Sequence, residues 1–76
     1  MSPTQTILQL LADGHLLADQ VASEPNVQKA ESLIREANGY FQAANILLGA
    51  FGNLHNGLID NPQFVAARRF CRRFPV

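Results

Sequence analysis

The sequence predicts an all-α fold: an antiparallel helical hairpin with a long second helix plus a short C-terminal helix, pairing into a dimeric helical bundle. Three observations carry this expectation. No run of β-branched residues alternates at period two, and no tight turn joins two such runs. Val27, Ala30, Ile34, Ala37, Phe41, Ala44, Leu48 and Phe51 recur at alternating three- and four-residue steps, a heptad seam without a skipped beat. Helix-start signals stand at Ser2-Pro3 and Asp60-Asn61-Pro62, with a proline break at Pro25 between them. One domain over residues 1–76 follows, with helices over about 3–22, 26–56 and 61–74.

The first helix begins with Ser2 as N-cap, Pro3 at the first helical position and Gln5 completing a capping box. Ile7, Leu10, Leu11, Leu17, Ala18 and Val21 form its apolar stripe. Gly14 lies on that stripe and weakens the helix by about 1 kcal/mol relative to alanine, so a close helix neighbour is expected there. Pro25 disfavours helical geometry at Glu24 and ends the segment. In the second helix, Ala30, Ala37 and Ala44 alternate with larger seam residues, leaving room for another helix to interdigitate. Leu33, Tyr40, Leu47 and Leu54 form a second row, which broadens the apolar face beyond a two-stranded coil. Asn38-Gly39 is a turn signal, but the seam keeps its phase across it, so one helix is expected, bent at most. His55-Asn56-Gly57 reads as its stop. The third helix opens at Asp60-Asn61-Pro62, with Gln63 three residues after Asp60.

The chain's formal net charge of zero conceals a dipole. Residues 1–60 carry all six acidic side chains against Lys29 and Arg35, a balance of −4; residues 61–76 carry Arg68, Arg69, Arg72 and Arg73 and no acid, a balance of +4. On a wheel with Phe64 at zero, the arginines span about 40° to 180°, and Ala66, Phe70, Phe74, Ala67 and Cys71 about 200° to 340°. The C-terminal segment is therefore an amphipathic helix, with an apolar face to dock and an arginine face left over.

Function classes narrow by elimination. A metal site on His15 and Asp19, four residues apart, needs at least a third ligand, and His55 is the only other imidazole, so none is expected and the two read as a solvated pair. Cys71 with either histidine lacks any nucleophile signature and reads as a structural thiol. No glycine-rich phosphate loop follows a strand. No enzyme activity, catalytic residue or cofactor is expected. Ala37–Ile59 contains no charged residue and is long enough to span a bilayer, yet Asn38, Gln42, Asn45, Asn53 and Asn56 are costly in hydrocarbon. A helix buried on two sides, not a membrane span, is the expected cause. A single cysteine excludes an internal disulfide, and the N-terminus has no positively charged leader, so a reducing, cytoplasmic location is expected.

What remains is a small non-enzymatic protein-protein interaction module, an inhibitor, adaptor or assembly factor that occupies a partner's surface. That size class is common among virus-encoded proteins that block host machinery. A charged fraction of only 16% suits a chain that completes its core with a second copy, so a homodimer is expected. The partner surface is expected to combine Arg68, Arg69, Arg72 and Arg73 with Tyr40, Leu47 and Leu54, and the partner to be an acidic protein. The alternative is a small dimeric nucleic-acid-binding protein using the same arginines, disfavoured because the acidic body repels a polyanion.

Overall fold

In the computed structural model, residues 2–50 and 56–75 are described, and among them every regular element is helical. Helix α1 (Pro3–Ser23) opens with the expected capping box: the Gln5 N–H donates to Ser2 Oγ and the Ser2 N–H to Gln5 Oε1, both at 3.2 Å. It stops before Pro25, and the Glu24 carboxylate accepts the Asn26 N–H. Asn26 then caps α2 (Val27–Ala50), its side-chain oxygen accepting the Lys29 N–H at 3.1 Å. The chain continues into a short 3-10 helix (Asn56–Asp60) and α3 (Pro62–Arg73). The cap of α3 is Asn61, which accepts the Gln63 N–H at 2.9 Å, and not Asp60. Asn61 directly precedes Pro62 and so stands where the first free N–H groups point.

The helix α2 runs unbroken through Asn38-Gly39, so the seam's constant phase outweighs the local turn tendency. Its described part ends at Ala50, and Asn56 already belongs to the 3-10 helix. Phe51 and Leu54, expected on the far end of this helix, lie outside the described residues.

Only three residues join α1 to α2, and the two helices pack together, so the chain doubles back as a hairpin. The core is small: Ile7 and Leu11 from α1, Ala37, Phe41 and Ala44 from α2, and Phe64 and Ala67 from α3. Leu58 of the 3-10 helix packs against its edge. The middle of the heptad seam is therefore consumed inside one chain. Ala30, Ile34 and Leu48 are half-buried, and Val27 at the start is 71% exposed.

Gly14 is buried where α1 crosses α2, and a Cβ built there would lie 2.5 Å from the Phe41 ring. Glycine is thus required by a close approach, as the stripe suggested. The ring cannot yield easily, because it is itself buried and meets the His15 ring at 4.8 Å and the Phe70 ring at 5.5 Å. Gly39 is the opposite case, with nothing within 4 Å of an added Cβ. Gly14→Ala is expected to destabilise the fold by up to about 2 kcal/mol, overpacking at about 1–3 kcal/mol set against about 1 kcal/mol of helix propensity. Gly39→Ala is expected to stabilise it by about 0.5–1 kcal/mol. Urea denaturation of the two variants beside the parent chain reads both signs.

Candidate protein-binding site on the third helix

Two polar contacts pin the ends of α3 to the hairpin. At its start, His15 Nε2 lies 2.7 Å from the Gln63 carbonyl oxygen, and since a carbonyl only accepts, that nitrogen carries the proton. His15 is therefore committed to α3 and does not form the solvated pair with Asp19 that the spacing implied. At its end, Asn38 is the one buried polar side chain among the described residues, 2% exposed. Its Nδ2 donates to the Ile34 carbonyl of its own helix at 3.0 Å and to the Phe74 carbonyl at 3.1 Å. Phe74 is the C-cap of α3, so Asn38 satisfies a carbonyl that the helix leaves without a partner. Neither contact was legible as a pair. Local spacing pairs His15 with its own helix and makes Asn38 a turn signal; the one hint in the sequence is a polar residue on the seam side of an unbroken helix.

Between these pins the apolar face of α3 settles. Phe64 and Ala67 are buried, and Phe70 lies edge-on to Phe41 and 5.0 Å from Phe74. Ala66, at the margin of the apolar arc, is exposed. All four arginines are exposed on the opposite side, as the wheel implied. Arg68 donates from Nη2 to the Ile59 carbonyl at 2.7 Å and lies over the Phe64 ring. Arg73 lies over the Phe74 ring. Arg69 and Arg72 make no hydrogen bond, ion pair or ring contact among the described residues, and no arginine of α3 reaches an acidic side chain there. The charge of −4 on the body and +4 on the end is thus not neutralised by contact within the described chain.

The arginines divide into two pairs, each bordering an open groove beside α3. Arg69 and Arg73 border one of about 330 Å³ against α1, walled by Ala18, Val21 and Ala22. Arg68 and Arg72 border one of about 420 Å³ against α2, floored by Phe41, Phe64 and Ala67 with Gln42 and Asn45 on the far rim. Cys71 also lines this second groove, and partial burial pushes its thiol above the usual thiol range.

The remaining expected contact residues are placed differently. Tyr40 is exposed on α2, whereas Leu47 is half-buried and packs against the core. The charge-free stretch is not buried on two sides by the described chain: Gly39, Gln42, Asn45, Ala50 and Ile46, the last 69% exposed, face outward. No described helix is long and apolar enough to cross a membrane. Comparison with protein-family models, characterised proteins and solved structures finds no match for the chain.

Removing the amide of Asn38 tests how α3 is held. Asn38→Ala is expected to cost about 1–3 kcal/mol, and Asn38→Asp more, because it sets a carboxylate oxygen against two carbonyl oxygens. Hydrogen exchange should quicken first at the amides of the last turn of α3, before those of α1.

Proposed function

We propose that this chain is a small protein-binding module that engages an acidic partner through the arginine face of α3. The observation that carries the reading is the pair Arg69 and Arg72: exposed, on a helix pinned at both ends, and without a partner among the described residues. Arginine suits this role because its planar guanidinium offers several donors to a carboxylate in fixed geometry. Protein is favoured over nucleic acid because each arginine pair borders an apolar groove, which a phosphate backbone does not need. The reading needs no catalytic group or cofactor, and an inhibitor, adaptor or assembly factor acts in this way by occupying a surface.

Self-association is the second part of the proposal. The core seam is used within one chain, so a second copy has the outward face of α2 around Tyr40 and Ile46 to pair through. A core this small gains much from such added burial.

The arginine face is tested by capture from the native source with the parent chain and with Arg69→Glu plus Arg72→Glu, a variant that spares Arg68 and its bond to Ile59. A partner held by the parent and lost by the variant is the expected outcome; identical captured sets overturn it. Labelled duplex and single-stranded nucleic acid, titrated at about 50 and about 200 mM salt, should show no binding; steep weakening between those conditions would establish phosphate contact instead. Light scattering at micromolar concentration is expected to give twice the chain mass of 8.3 kDa, and the single-chain mass rejects the dimer.

A further inference from the structure

We propose that the groove between α2 and α3 receives the apolar face of an amphipathic helix from a partner protein, whose acidic side chains, one turn apart, pair with Arg68 and Arg72. This rests on the protein-binding reading and specifies the groove and the chemistry of its occupant.

Shape and spacing argue for a helix. The groove is an open trough, so a small molecule would stay largely wet in it, whereas a helix laid along it can bury a stripe of side chains on Phe41 and Phe64. Arg68 and Arg72 are four residues apart, a rise of about 6 Å along α3. Carboxylates three or four apart on an opposing helix repeat at nearly the same rise, so two charge-assisted pairs form in one register. Arg72 makes no hydrogen bond, ion pair or ring contact among the described residues, and Arg68 spends one donor on Ile59 and keeps the rest of its guanidinium.

Charge decides between the two grooves. The rim opposite Arg68 and Arg72 is the amide pair Gln42 and Asn45, inside a stretch that carries no Asp, Glu, Lys or Arg from Ala37 to Ile59. An acidic segment entering there meets the arginines and no like charge on the α2 rim. The α1 wall of the other groove lies in the same two turns of helix as Asp19 and next to Glu24, which oppose an acidic visitor. No acid lines this groove, so none competes there for Arg72.

The test uses the full chain as bait against a displayed library of helical peptides with unbiased surface positions. Enriched peptides are expected to carry an apolar stripe flanked by Asp or Glu at three- or four-residue spacing. A synthetic copy should slow alkylation of Cys71 about tenfold, since the thiol lines the groove. Arg72→Glu should weaken binding at least about tenfold while Arg69→Glu, an equal charge change beside the other groove, changes it less than about threefold. Polyglutamate, which is acidic without an apolar face, should bind at least about tenfold more weakly than the enriched peptide. No enrichment, enrichment of basic or uncharged peptides, equal binding of polyglutamate, or unaltered Cys71 alkylation overturns the proposal. A dominant effect of Arg69→Glu moves the site to the α1 groove and leaves the protein-binding reading standing. Insensitivity to both arginines removes the groove and that reading together.

Discussion

The Phe41 ring resting on Gly14 sets the dimensions of this fold. Because glycine has no Cβ, α1 can approach until its backbone meets the ring, and that fixes the spacing of the hairpin. The ring's remaining sides are used as well. His15 lies against it from α1 and Phe70 from α3, and it contributes to the floor of the groove between α2 and α3. One aromatic side chain thereby links hairpin geometry, third-helix docking and the candidate contact surface. In a core with so few fully buried residues, no neighbouring contact is positioned to compensate for its displacement.

Apolar packing alone would let so short a helix slide or rotate. The bond from His15 to the Gln63 carbonyl and from Asn38 to the Phe74 carbonyl fix α3 at its first and last turns. A directional bond at each end removes both freedoms, which packing on small side chains does not. The rotational setting has a direct consequence for function. It buries Phe64 and Ala67 and turns all four arginines outward, two toward each flanking groove. A surface that combines fixed guanidinium groups with apolar troughs is suited to a partner presenting carboxylates beside apolar side chains. The part of α2 from Ala37 to Ala50 belongs to the same picture, since it carries no Asp, Glu, Lys or Arg and sets no acid beside Arg68 and Arg72.

Much of this was legible in local sequence. The Ser2 and Gln5 capping box, the break at Pro25, the continuity of α2 across Gly39 and the amphipathic division of α3 are all properties of residues within a few positions of one another. Gly14 was legible as a close approach, though not its neighbour. The partners of His15 and Asn38 are not legible for one reason: each has a plausible local role, and its actual partner is 48 or 36 residues away. The heptad seam invited a second copy, and the structure shows its middle covered by α1 and α3 of the same chain. Periodicity identifies a face that must be buried but carries no information on which surface buries it.

The sequence by itself determined the helical class, the helix starts, the hairpin reversal and the segregation of charge, because caps, proline geometry and helical period act over three or four residues. Only the tertiary structure decided that Phe41 fills the gap at Gly14, that Asn38 holds the end of α3, and that the arginines part into two pairs over two grooves. Those outcomes depend on how three helices share one small interior, and contacts between residues dozens of positions apart leave no period in the sequence.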